Sequence, residues 1–130
     1  MDNYYIDNKS NYILYLTPFC LYTSLLNLYR KQYILYIIEL CVFISSFIHW
    51  SNPTYGWKRT IDITVVSIGI ISHLYYMYIN ICFITFYCNI ITLSSLYISI
   101  NYSSYNMHFI AWIFACLGNI CLSNCLYYSN

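Results

Sequence analysis

The sequence predicts an all-α fold, a polytopic membrane helix bundle of about five transmembrane helices. Three observations predict it. From Ile63 to Asn130, more than half of the chain, there is no Asp, Glu, Lys or Arg. Charged residues make up 7% of the sequence and hydrophobic residues 61%, against about 25% charged in an ordinary soluble chain. The apolar runs are unbroken, as lipid-embedded helices require, and lack the alternation and regular polar turns of a membrane barrel.

Length sets the number of crossings. At about 20 residues per span, 130 residues form a single transmembrane domain, 1–130, with no room for a separate soluble one. The net charge of +1 supplies no polybasic patch, so nucleic acid is not an expected partner. Membrane lipid is. Ile, Tyr and Asn are abundant while Ala, Gly and Val are scarce, the mark of AT-biased coding, which strips the Tyr and Asn counts of functional weight.

Residues 1–11 form a polar N-terminal segment carrying Asp2, Asp7 and Lys9. It lacks the basic n-region of a signal peptide and no A-x-A site follows, so the first apolar run is expected to remain as a span. The first helix is predicted over 12–29, with Pro18 as a kink near its start. Arg30, Lys31 and Gln32 make a polar turn, and the second helix follows over 33–50. Residues 51–60 are the clearest loop, with Asn52-Pro53 and Gly56 as turn residues and Trp50 and Trp57 flanking it as interfacial aromatics.

Thr60 is a natural N-cap for the third helix, predicted over 60–78. Only Asn80 marks the boundary with the fourth, over 81–100. A short polar loop, 101–106, precedes the fifth, over 107–126. On this path Lys9, Lys58 and Arg59 lie on one membrane face and Arg30 and Lys31 on the other, too small a difference to set orientation. The glycosylation sequons at Asn8 and Asn101 both fall on the first face and carry little weight in an Asn-rich chain.

The seven cysteines, Cys20, Cys41, Cys82, Cys88, Cys116, Cys121 and Cys125, all sit in apolar runs, where Cys acts as a small hydrophobe. There is no C-x-x-C pair, and only Cys121 and Cys125 share a helical face by spacing.

Few ionisable groups remain inside the spans, and each needs a partner there. Glu39 lies near the middle of the second helix and His49 at its end. Asp62 opens the third helix, His73 follows eleven residues later, and His108 opens the fifth. The second and third helices run antiparallel, so His49 and Asp62 share a depth near one face. Glu39 and His73 each lie about 15 Å deeper by helix rise. A buried Glu39–His73 pair is the expected result.

Face arithmetic agrees: Asp62, Val66, Gly69, His73 and Asn80 form one stripe, with Gly69 as a point of close approach. His108, Ala111, Ala115 and Gly118 form a narrow small-residue stripe. Each group also has a plain reading. Asp62 suits a helix N-terminus electrostatically, His49 beside Trp50 suits an interface, and Glu39 with His73 suits packing.

Ser45-Ser46-Phe47-Ile48-His49 followed by Asp62 resembles the superfamily of alkaline ceramidases, adiponectin and progestin receptors and GPI-lipid remodelling hydrolases. There a Ser precedes a His by four at one helix end, and an Asp opens the next helix. The resemblance covers Ser45 to about Gly69. It implies zinc, with His49 as a ligand and with Ser45 and Asp62 supporting the site and its water. A zinc-bound hydroxide of that kind attacks an amide or ester.

The family has seven helices and completes its site with an H-x-x-x-H pair on the last. Here His108 stands for one of these, Trp112 occupies the other position, and His73 lies too deep. The ligand set left is His49, His108 and Asp62. Bis-imidazole haem on His49 and His108 is geometrically open but set aside, leaving zinc as the one cofactor expected.

Two functions are therefore open. One is a small or degenerate metal-dependent hydrolase of lipid amides or esters, with Ser45 and Asp62 as catalytic residues and zinc on His49, His108 and Asp62. The other is a non-enzymatic membrane protein or oligomeric pore built around Glu39 and His73, its partner a second copy or another membrane protein. No phosphate-binding glycine loop, G-x-S-x-G elbow or H-E-x-x-H run occurs.

Overall fold

The computed structural model describes residues 13–52, 56–102 and 105–128. The expectations for residues 1–11, with Lys9 and the Asn8 sequon, and for Pro53 and Ser103 lie outside the described residues. Within them the chain forms five helices: α1 (Thr17–Tyr29), α2 (Tyr33–Ser51), α3 (Trp57–Asn80), α4 (Phe83–Tyr102) and α5 (Tyr105–Tyr128). Three neighbouring pairs, α1–α2, α2–α3 and α4–α5, pack as antiparallel hairpins, while α3 and α4 touch only slightly. The most extensive contact is α4 on α5, then α1 on α2 and α2 on α3, and α1 also meets α5.

Pro18 lies in the first turn of α1, just after the break at Tyr15 and Leu16 that parts it from helical Ile13 and Leu14. It has no N–H to give and its ring crowds the carbonyl four residues back. Ile13 and Leu14 are helical and Tyr15 and Leu16 form a turn, closed by Leu16 N–H to the Ile13 carbonyl and by the Thr17 hydroxyl to the Leu14 carbonyl. The result is a helix of 13 residues, about 20 Å long, short of the roughly 30 Å of a bilayer's hydrocarbon.

Among the described residues three helical stretches are long and apolar enough to cross a membrane: Tyr33–Ser51, Trp57–Asn80 and Asn106–Tyr128. The apolar part of α4, Phe83–Ser99, is shorter.

The start of α3 also differs from expectation. Gly56 is its N-cap residue, at φ 142° and ψ −155°, a backbone region open to glycine and almost closed to other residues. Thr60 lies inside the first turn, where its N–H and hydroxyl both reach the Gly56 carbonyl. At the other end α3 stops at Asn80 because Ile81 turns left-handed (φ 50°, ψ 48°), and its N–H bonds the Met77 carbonyl. Lys31 does the same after α1 (φ 61°), with Gln32 N–H reaching the Asn27 carbonyl at 2.8 Å.

The distribution of polarity is inverted relative to a water-soluble protein. Among the described residues more of the buried side chains are polar than apolar. Every buried residue of α4 is a thiol, hydroxyl or amide: Cys88, Asn89, Thr85, Thr92 and Ser95. Outside, Ile68, Ile71, Tyr75, Phe83, Ile84, Tyr87 and Tyr97 stand exposed. Such a surface carries no penalty against hydrocarbon, a solvent in which polar groups must find partners within a protein.

The α4–α5 hairpin owes its tight contact to Gly118. A Cβ there would lie 3.0 Å from the Cβ of Cys88. The close approach lets Thr85 reach the Gly118 carbonyl at 3.3 Å and Thr92 the Ala111 carbonyl at 3.5 Å. Gly69 is not such a point. An added Cβ there would make ordinary contact with Val42 at 3.4 Å and Ile38 at 3.7 Å.

Candidate functional site: a buried polar seam

The seam begins where α2 and α3 face each other deepest in the bundle. His73 Nε2 lies 2.9 Å from Glu39 Oε1. The other carboxylate oxygen receives the Thr23 hydroxyl of α1 at 3.4 Å, which is shared with the Cys20 carbonyl at 3.0 Å. All three side chains are buried. Glu39 thus has a partner on each flanking helix, so one carboxyl ties α1, α2 and α3 together.

Nearer the end of α2 and the start of α3, Asp62 of α3 accepts two hydroxyls from α2, Ser45 at 3.1 Å and Ser46 at 2.5 Å. Ser45 and Ser46 are adjacent, so they lie about 100° apart on the helix and can converge on one oxygen. Asp62 is therefore a cross-helix acceptor as well as an early residue of α3.

The imidazoles have a different environment. The ring of Trp50 meets His49 edge-on at 4.8 Å between centroids, and meets His108 edge-on at 5.0 Å. His108 Nδ1 lies 3.3 Å from the Ser99 hydroxyl of α4. Trp50 is half-buried and packs with the Ile13, Trp112 and Cys116 cluster, so it serves the interior, not the flank of the loop. Trp57 remains exposed, with the Lys58 ammonium 6.0 Å over its ring.

The residues grouped as zinc ligands on sequence are thus distributed among other partners. Asp62 takes the two serines, His108 takes Ser99, and an indole packs on both imidazoles. Among the described residues no three His, Cys, Asp or Glu side chains are arranged to hold a metal ion. No metal-dependent step is built on His49, His108 and Asp62.

A second polar layer joins α1 to α5 and was not visible in the sequence. Asn27 Nδ2 reaches Asn119 Oδ1 at 3.5 Å. Arg30 donates to the Ser123 hydroxyl at 2.9 Å, and Gln32 donates to the Ser123 carbonyl at 3.0 Å. The Arg30 guanidinium also lies 5.5 Å over the ring of Tyr127. The spacing of Asn27 from Arg30, three residues and one helical face, was the only signal available, and it names no partner helix.

Comparison with protein-family models, with curated proteins and with solved structures gives no match. The functional reading rests on the geometry alone.

Proposed function

We propose that this chain is a multi-pass integral membrane protein of about five membrane-embedded helices, and that its role is structural and non-enzymatic. It would serve as a compact bundle that packs with a second copy or with another membrane protein. The observation that carries this reading is the Glu39–His73 contact at 2.9 Å. The acid deepest in the bundle is committed to a neighbouring imidazole and a threonine, in an interior where buried ionisable groups join helices. The apolar exterior supports lipid as the solvent.

The test is reconstitution of the purified protein in liposomes. The unaltered protein is expected to carry no proton or cation flux, while Glu39→Gln and His73→Ala lower its thermal stability. Flux that Glu39→Gln abolishes would replace this reading with an oligomeric pore. Stoichiometric zinc lost in His49→Ala would replace it with the metal-dependent lipid hydrolase.

A further inference from the structure

We infer that the Cys82–Cys125 disulfide is formed in an oxidising compartment, so that the end of the bundle carrying it faces that compartment and the Trp57–Arg59 end faces the reducing side. This rests on α3 crossing the membrane, as proposed above.

The cysteines divide by position. Cys82 sits in the two-residue turn between α3 and α4, and Cys125 lies in the last turn of α5; the two are joined. Cys20 and Cys116 also face each other, with sulfurs 4.0 Å apart, but deep between α1 and α5 and as free thiols. Cys88 is free and buried. A bonded pair at the helix ends beside an unbonded pair within the bundle is the pattern expected when the oxidant acts from one membrane face. Disulfides persist where the compartment is oxidising.

The bond also completes a closure. Helices α4 and α5 are consecutive, Tyr102 ending one and Tyr105 beginning the other. At their far ends Cys82 and Cys125, 43 residues apart, hold the hairpin covalently. The polar ties of Arg30 and Gln32 to Ser123 gather the α1–α2 turn at that same end. Basic residues do not decide orientation, since Arg30 and Lys31 lie at this end and Lys58 and Arg59 at the other. The disulfide does. With 24 residues, α3 is about 36 Å long, enough to put Lys58 and Cys82 on opposite faces.

The chemistry is thiol–disulfide exchange with a disulfide-bearing oxidoreductase of that compartment. One thiolate of the pair attacks the donor disulfide and forms a mixed disulfide. The second thiolate then displaces the donor's sulfur. The two thiols lose two protons and two electrons, and the donor leaves as a dithiol.

The first measurement counts thiols on the unaltered full chain, denatured under acid quench and treated with a mass-tagged maleimide. The expected result is five adducts without reduction and seven after it, because two of the seven cysteines are paired. Seven adducts without reduction would overturn the disulfide. Cys82→Ser and Cys125→Ser are each expected to give six adducts, with or without reduction.

The second measurement sets the orientation in sealed membranes. In a chain with the five free cysteines replaced by alanine, Lys58→Cys and Tyr128→Cys are probed with a membrane-impermeant maleimide from the oxidising side. Tyr128→Cys is expected to react at once, and Lys58→Cys only after permeabilisation. Labelling of Lys58→Cys before permeabilisation overturns the orientation. If both react together while the unaltered chain still gives five adducts, the failure lies with the spanning of α3 and not with the disulfide.

Discussion

The helices α1 to α3 and the hairpin of α4 and α5 are held together in different ways. In the first group a few strongly polar side chains reach across gaps between helices: Glu39 to His73 and Thr23, Asp62 to Ser45 and Ser46. The hairpin contains no Asp, Glu, Lys or Arg. It joins its helices by close approach at Gly118, by threonine hydroxyls on backbone carbonyls, and by a disulfide. Lipid gives helices no hydrophobic reason to associate, so packing and hydrogen bonding must supply it. The two regions show both solutions in one chain. Long-range polar partners tolerate a looser fit, whereas backbone contact demands small residues at fixed places.

The largest expected effect separates these modes at Glu39. Removing one partner of a buried acid–base pair leaves the other uncompensated and costs about 3–5 kcal/mol, while replacing both by apolar residues costs far less. Glu39→Ala or His73→Ala should therefore lower stability by roughly that amount in a reversible detergent-unfolding assay, and Glu39→Leu with His73→Leu should recover most of it. Additive losses in the double variant would show that the contact does not couple α2 to α3.

The two glycines sharpen the contrast. Gly118→Ala pushes a methyl group against the Cβ of Cys88, an atom fixed to the α4 backbone, so the helices must part; overpacking of this kind costs about 1–3 kcal/mol. Gly69→Ala meets Val42 and Ile38 at ordinary distance. It should be neutral or gain up to about 1 kcal/mol from helix propensity. The same unfolding assay reads both, and equal losses at the two positions would erase the distinction between the regions.

How much of this was legible in the sequence follows from what spacing can encode. Helix rise alone sets Glu39 and His73 at one depth, and they meet. Residue period alone sets Ala111 and Gly118 on one stripe, and α4 packs there. Neither depth nor period names the helix opposite. Gly69 lies on the stripe of Asp62 and His73, yet α2 meets it through side chains rather than backbone.

Trp50 follows His49 at the end of an apolar run and reads as an interfacial ring, but it meets the rings of both His49 and His108. Zinc on His49, His108 and Asp62 is what the resemblance implied, with shared depth selecting His108, and shared depth does not fix lateral distance. Cys82 and Cys125 lie 43 residues apart, beyond any local pattern. Thr60 was placed in the right neighbourhood with the wrong role, because Gly56 sets the start of α3 through a backbone conformation that glycine adopts most readily.

The smallest expected effects are at the turns, where scarcity of glycine has left its trace. Ile81 and Lys31 both adopt left-handed backbone conformations, which cost a residue bearing a Cβ roughly 1–2 kcal/mol and cost glycine little. Ile81 is exposed, so Ile81→Gly gives up little packing. Part of the relief is offset by the greater freedom glycine gains when unfolded. The net expectation is a stabilisation of at most about 1 kcal/mol, with the Cys82–Cys125 bond still formed on a non-reducing gel. Ile81 is also the hinge between the two regions. A loss of stability in Ile81→Gly would mean that the stiffness of a β-branched residue at the junction holds the hairpin against α3, and that the regions are coupled through the turn as well as through their contacts.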